Sequence, residues 1–114
     1  VAALTAMEEE GVVSNAKRIG SDVLAPALAG LSRHDIVGEV RGTGVFWAVE
    51  LVSDREARTP LDAATMGRFK TDLLSRGLLP FISENRIHVV PPAVVTDEEA
   101  RRGVAIIDEA LAAL

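Results

Sequence analysis

Residues 36–51 read IVGEVRGTGVFWAVEL, and apolar and polar residues alternate on both sides of a short glycine-containing turn. Alternation with a period of two is typical of a half-buried strand, so we predict one strand over 36–41 and another over 45–52. The turn between them predicts a hairpin or a close antiparallel pair. The second strand should place Val45, Trp47, Val49 and Leu51 on one face and Phe46, Ala48 and Glu50 on the other. In the first strand, Ile36, Gly38 and Val40 should oppose Val37, Glu39 and Arg41.

Helical patterns precede this hairpin. Residues 1–10 form an alanine-rich, acidic stretch that should end at Gly11, because glycine is a common helix stop. Residues 12–32 repeat apolar side chains every three or four positions, which predicts an amphipathic helix. Pro26 lies inside that pattern and lacks a backbone donor, so it should kink the helix or break it at Ala25.

After the hairpin, the chain shows a polar loop, a helix, two short strands and a last helix. The predicted bounds are 53–60 for the loop, 61–76 for the helix, 78–82 and 86–90 for the strands, and a capping box at 96–99 for the last helix. Because the strands arrive in pairs, we predict an α+β domain of two layers. A mainly antiparallel small sheet of about four strands should be covered by helices.

The composition restricts the functional classes. A chain of 114 residues with 48% hydrophobic and 25% charged residues is typical of one globular domain. Its net charge of −5 and the absence of a basic block argue against nucleic acid as a partner. Without cysteine and with only two histidines, we expect no metal site. No signal peptide or membrane-spanning run is recognised, so we expect a soluble, cytoplasmic protein that contacts no membrane.

No catalytic constellation is complete, so we predict no catalytic residue in this chain. The turn at 41–44 joins two strands, whereas a phosphate-binding loop opens a helix. For His34 we favour a capping or surface role, and for His88 a half-buried position in a strand, over catalysis. A Schiff-base lysine needs a desolvated pocket, and the surroundings of Lys17 and Lys70 predict solvated helix faces.

The stretch 36–51 resembles the corresponding run of class III pyridoxal-phosphate-dependent aminotransferases, with Gly-x-Val-Arg-Gly-x-Gly followed by Glu-Leu. Residues 86–99 give a second match, since an apolar strand runs into Pro-Pro, aliphatic residues and a Thr-x-x-Glu helix start. The Glu-Glu-Glu-Gly at 8–11 and the loop at 54–61 also match, the loop being similar to the ω-amino-acid branch. The resemblance spans essentially the whole chain, with its motifs in the same order and spacing.

This resemblance implies the C-terminal small domain of a fold-type-I transferase. Residues 1–10 would end a connecting helix from a missing large domain, and residues 11–114 would form the small domain. In the family, the large domain binds pyridoxal phosphate and carries the catalytic lysine, so this chain alone would bind no cofactor and be inactive. The whole protein would be a homodimer that moves an amino group between an ω-amino acid or amine and a keto acid.

The resemblance also suggests substrate-binding residues. Many ω-amino-acid members carry an arginine for the substrate carboxylate at the position of Phe81, which either lines an apolar pocket or belongs to the core. Arg86 could replace that arginine if it points into the cleft. Arg41 is either a cleft arginine or, as we favour, a turn residue that holds carbonyls. The residues interpreted as structural turn positions are Gly42, Gly44, Pro91 and Pro92.

A different hypothesis remains open. The chain could be a free-standing, non-catalytic α/β module that binds a small ligand or a partner protein. The reading frame upstream of Val1 distinguishes the two, because a long open frame favours the transaminase domain and a start codon favours the module. Val1 lies in an apolar stretch that we interpret as the tail of a longer helix, with a processed terminus as the alternative.

Overall fold

The computed structural model describes residues 1–114, and the first third of the chain is helical. Helix α1 spans Ala2–Glu9, and Gly11 follows it with a left-handed φ of 61°, which confirms the predicted stop. The second helical run has four parts, namely α2 (Val12–Ile19), a π-helical turn (Gly20–Leu24), α3 (Ala25–Ala29) and a 3-10 turn (Gly30–Arg33).

Of the two outcomes predicted for Pro26, a kink or a break at Ala25, the break does not occur, because the helical run continues through Pro26. The backbone instead widens one turn earlier, where the amide of Ala25 donates to the carbonyl of Gly20. This i→i+5 hydrogen bond widens the turn. In a regular α-helix the ring of Pro26 would clash with the carbonyl four residues earlier, and the wider turn relieves that clash. Pro26 then lies in the first turn of α3, a position at which proline is tolerated.

The remaining elements form an antiparallel sheet and two further helices. The strands are β1 (Val37–Thr43), β2 (Phe46–Asp54), β3 (Thr59–Pro60), β4 (Phe81–Ser83) and β5 (Arg86–Val89), and the helices are α4 (Ala63–Ser75) and α5 (Asp97–Ala112). The sheet has the order β1-β2-β5-β4, with β3 paired to β2, and each pair is antiparallel. The predicted fold class, an α+β domain with a mainly antiparallel sheet, is confirmed.

Strand β1 departs from the predicted alternation. The register shifts between Val37 and Glu39, so that Gly38 is an extra residue in a β-bulge. Val37 therefore joins the buried core, and Val40 packs against the same core. A Cβ on Gly38 would lie 2.8 Å from the Val52 side chain, so a larger residue could not pass this close to β2.

Two other strand bounds differ from the prediction. The end of the expected loop at 53–60 pairs with β2 as β3. The strand predicted over 78–82 begins only at Phe81, because the residues before it still cap α4. The Leu78 amide donates to the Leu73 carbonyl at 2.9 Å, and Gly77 has a φ of 89°.

The hydrophobic core lies between one face of the sheet and the helices. The sheet contributes side chains such as Val49, Leu51 and Ile87, and the helices contribute Leu28, Phe69 and Ile107, all at most 2% exposed. Burial of each such side chain stabilises the fold by roughly 1.5–3 kcal/mol. The opposite face of the sheet is left without a helical cover. None of the helices combines the length and the apolar character needed to cross a membrane.

The helical run and the hairpin turn meet through two glycines. A Cβ on Gly20 would lie 2.4 Å from the carbonyl oxygen of Gly44 and 2.6 Å from its Cα. Gly44 itself has a left-handed φ of 55°. The indole N–H of Trp47 donates to the Gly44 carbonyl at 2.7 Å, which fixes the turn against β2. Only glycine at position 20 permits this contact between helix and sheet.

We expect Gly20→Ala to lower the free energy of unfolding by about 2 kcal/mol or more, because the new methyl group meets backbone atoms that cannot move aside. Gly67→Ala in α4 is the matched control, since an added Cβ there has no neighbour within 4 Å. It should be neutral or stabilising by up to ~1 kcal/mol. Urea unfolding of the two variants measures the difference, and equal stability would show that the glycine contact is unimportant.

Candidate functional site

The three predicted substrate-binding residues lie on the same side of the sheet, away from the helices. Phe81 is directly opposite His88, and Arg86 is two residues before His88 on β5. Arg41 is opposite Ala48, which is opposite His88 in turn. Directly opposed residues share a face of a sheet, so all of these point the same way. We call this side the open face, and it carries Glu39, Arg41, Phe46, Ala48, Glu50, Phe81, Arg86 and His88.

One half of the open face is aromatic. The ring centroids of Phe81 and His88 are 5.2 Å apart with an interplanar angle of 74°, and those of Phe46 and His88 are 6.4 Å apart at 71°. These are edge-to-face contacts, a preferred geometry for aromatic pairs. Phe46 is 61% exposed and Phe81 is 67% exposed, so Phe81 is not a core residue of this chain. We call these three side chains the aromatic row.

The other half of the open face is charged. The Nη2 of Arg58 donates to Glu39 Oε2 at 2.9 Å and to Glu50 Oε2 at 2.8 Å. The Nη1 of Arg41 donates to Glu39 Oε2 at 2.9 Å and lies 3.7 Å from Glu50 Oε2. We call these four residues the charged cluster. Arg41 therefore binds carboxylates rather than the turn carbonyls that we expected it to hold.

Glu50 is the most enclosed member of the charged cluster, with a side chain only 18% exposed. The hydrogen bond from Arg58 holds the pKa of its carboxyl below the ordinary value, although burial acts in the opposite direction. Arg58 itself adopts a left-handed φ of 55°, which costs a residue with a side chain roughly 1–2 kcal/mol. Its side chain makes two charge-assisted hydrogen bonds, to Glu39 and to Glu50, which anchor the loop to the charged cluster.

Arg86 is also paired with a carboxylate. Its Nη2 donates to Glu84 Oε2 at 3.0 Å, whereas its Nε is buried without a hydrogen-bond partner. Asn85, in the same turn, is buried and donates to a β2 carbonyl at 2.8 Å, which anchors the turn to the sheet. Every arginine on this side, Arg41, Arg58 and Arg86, thus has a glutamate partner.

Three further residues that we considered as catalytic candidates lie away from the open face. Lys17 and Lys70 are exposed on α2 and α4. His34 is half-buried, and its Nε2 lies 2.6 Å from Asp108 Oδ1 in α5, where Arg33 also binds the carboxylate. The hydrogen bond from Arg33, followed by that from His34, lowers the pKa of Asp108. This arrangement ties the end of the helical run to α5. No group of three or more His, Asp or Glu side chains is placed to hold a metal ion.

The four residues interpreted as turn positions lie at strand ends. The backbone of Gly42 lies close to Trp47, since a Cβ on Gly42 would be 2.5 Å from Trp47 Cδ2. Gly44 is in the hairpin turn with its left-handed φ. Pro91 and Pro92 follow the end of β5. None of the four presents a functional side chain to the open face.

Part of this surface is not apparent from the sequence. The alternation of β2 places Phe46 and Glu50 on one face, whereas for His88 the sequence predicts only a half-buried position in a strand, which the structure confirms. Its position beside Phe46 depends on the pairing of β2 with β5, which are distant along the chain. Arg58 belonged to a predicted surface loop, and no signal in the sequence indicated its contacts with Glu39 and Glu50.

Comparisons with known proteins identify the family. The family model described as Aminotransferase class-III matches residues 1–111. The hypotaurine/taurine–pyruvate aminotransferase of Paracoccus denitrificans is 32% identical over 113 residues, which are 92% of this chain and 24% of that protein.

Solved structures of transaminases also superpose on this chain. A transaminase with L-alanine superposes with a TM-score of 0.90 at 30% identity, over 96% of this chain and 26% of that one. The taurine:2-oxoglutarate aminotransferase of Bifidobacterium kashiwanohense, in complex with pyridoxal phosphate and glutamate, gives 0.88 at 27% identity, over 98% and 26%. The chain thus spans about a quarter of the length of the relatives that it matches.

We expect Glu50→Gln to lower the free energy of unfolding at neutral pH and to matter less in acid. The hydrogen bond from Arg58 lowers the pKa of Glu50 in the folded chain, so its stabilising effect is fully present above the ordinary pKa of a glutamate. The effect is lost as the pH falls through the lowered folded-state pKa. Urea unfolding between neutral pH and about pH 3 measures this, since that range spans glutamate titration.

Glu56→Gln is the control for this prediction, because Glu56 is exposed in the loop outside the charged cluster. Its difference from the unsubstituted chain should stay small at every pH. If Glu50→Gln destabilised the chain equally at all pH values, the ion pair would not be the source of its effect.

Proposed function

Because the chain belongs to the class-III aminotransferase family, we propose that it is the C-terminal small domain of a pyridoxal-phosphate-dependent transaminase. The whole protein would move an amino group between an amine or ω-amino acid and a keto acid. The observation that carries this proposal is the family match over residues 1–111 in a chain that covers a quarter of its relatives. Residues 1–10 would be the end of a connecting helix, and residues 11–114 the small domain.

The residues of this chain do not form a complete site for pyridoxal phosphate. A lysine that reacts with the cofactor needs a desolvated setting, and both Lys17 and Lys70 are exposed on helices. We therefore propose that the rest of the polypeptide supplies the reacting lysine and binds the cofactor, and that this chain is inactive alone. When bound, pyridoxal phosphate supplies the electron sink for amino-group transfer.

In this proposal, the open face forms one wall of the active site. Ligand pockets occur preferentially at the boundary between domains, where two surfaces enclose a cleft. The open face has the expected character of such a wall, because exposed rings lie beside a cluster of ion pairs. Its contribution would be to exclude water and to orient the part of the substrate that does not react.

Apolar side chains are also exposed outside the open face, on helix α1. Helix α1 has no buried residue, and its Leu4 and Met7 side chains are 66% and 42% exposed. We propose that the large domain of the same polypeptide covers this helix and that the whole protein is a homodimer. We also propose the cytoplasm as its compartment, in keeping with the acidic, cysteine-free composition.

In the protein expressed from its whole reading frame, we expect Lys17→Ala and Lys70→Ala to change cofactor binding and the transamination rate by less than about twofold. Substitutions at exposed positions usually have such small effects. The visible absorbance of the bound cofactor and the rate of keto-acid consumption measure these properties. Loss of cofactor absorbance in either variant, at unchanged thermal stability, would place the reacting amine inside this chain.

The same protein tests the proposal as a whole. We expect purified whole protein to retain or regain the cofactor absorbance when it is supplied with pyridoxal phosphate. A whole protein that binds no cofactor and transfers no amino group would overturn the transaminase proposal. That outcome would favour the non-catalytic α/β binding module instead.

A further inference from the structure

We propose that the aromatic row receives the uncharged aryl or alkyl body of the amino donor and disfavours a donor with a carboxylate at that end. The row consists of Phe46, His88 and Phe81 on the open face. This inference rests on the proposed function, because it needs the open face to line an aminotransferase active site. It adds the chemical class of the substrate, which family membership alone leaves open.

The first support is the shape of the surface. Phe46 and Phe81 stand on either side of His88, and both phenyl rings are more than half exposed. Between the row and Arg41 lies only Ala48, whose small side chain is 9% exposed. The rings therefore border a shallow apolar floor. An aryl or alkyl group can meet ring faces and edges there without displacing any polar contact.

The second support is that each arginine of the open face already has a glutamate partner. Arg58 and Arg41 are held by the two glutamates of the charged cluster at 2.8–2.9 Å. Arg86 is held by Glu84 at 3.0 Å. A donor carboxylate near these arginines would compete with a resident glutamate for the same guanidinium groups. A donor carboxylate placed against the aromatic row would have no charged partner there, and a buried charge without a partner is strongly disfavoured.

The charged cluster offers a carboxylate no net positive charge. Its two arginines are balanced by Glu39 and Glu50, with which they form ion pairs. A carboxylate that approached along β2 would therefore meet a neutral group of ion pairs and not an unpaired cation. The open face is thus built to favour one substrate class and to disfavour another, which is how specificity usually arises.

The test compares two amino donors with the whole, cofactor-loaded protein and pyruvate as acceptor. The donors are 1-phenylethylamine, which has an aryl body, and β-alanine, which has a carboxylate. We expect kcat/KM to be higher for 1-phenylethylamine. Phe81→Ala should lower it for this donor by roughly 10-fold or more, with little effect on β-alanine, as expected for loss of a hydrophobic contact. Phe81→Arg should shift the preference toward β-alanine.

Leu74→Ala is the matched control, because Leu74 is an exposed apolar residue on α4 rather than on the open face. It should leave both kcat/KM values unchanged. Equal losses for both donors in Phe81→Ala, with lower thermal stability, would mean that the row packs against another part of the polypeptide. A preference of the unsubstituted protein for β-alanine would also overturn the inference while leaving the proposed function intact. Absence of cofactor and of activity with either donor would instead sink the proposed function, and this inference with it.

Discussion

The alternation of side chains along strand β2 defines the two faces of the sheet, around which the other elements are arranged. Val49 and Leu51 point into the core, whereas Phe46, Ala48 and Glu50 point to the open face. Because successive side chains of a strand alternate, any residue that pairs with β2 is assigned to one face or the other. The helices cover the first face and leave the second available for contacts outside this chain.

The contact between Gly20 and Gly44 keeps the helices on that first face. It brings the π-helical turn onto the hairpin, and the indole of Trp47 locks the turn from the side of β2. The same hairpin sets the pairing of β1 with β2 and so the positions of the charged cluster. The hairpin that contacts the helical run through Gly44 thus also carries three members of the charged cluster, Glu39, Arg41 and Glu50.

Much of the fold follows from the sequence, because its signals are local. The alternation in β2, the stop at Gly11 and the Thr96–Glu99 capping box depend on residues close in the chain, and the structure has all three. The bulge at Gly38 and the π-helical turn before Pro26 depend on what packs against them. Neither the side chain of Val52 nor the backbone of Gly44 could be placed there from the sequence alone.

Less of the candidate site than of the fold can be predicted from the sequence. Phe81, Arg86 and Arg41 were identified through a resemblance and not through any local pattern. Their position on one surface depends on the order β1-β2-β5-β4, which brings strands far apart in the chain side by side. His88 acquires its aromatic neighbours only in that order. Pairing of each arginine with a glutamate likewise needs the strand registers and the loop conformation of Arg58.

We propose that the open face forms a wall of a cofactor cavity that other parts of the polypeptide complete. A crystal structure of the whole protein with pyridoxal phosphate bound would show this arrangement. We expect Phe46, Phe81 and His88 to line the cavity in front of the cofactor, and the cofactor to be linked to a lysine outside residues 1–114. A cofactor linked to Lys17 or Lys70, or an open face turned toward bulk solvent, would show that the proposal is wrong.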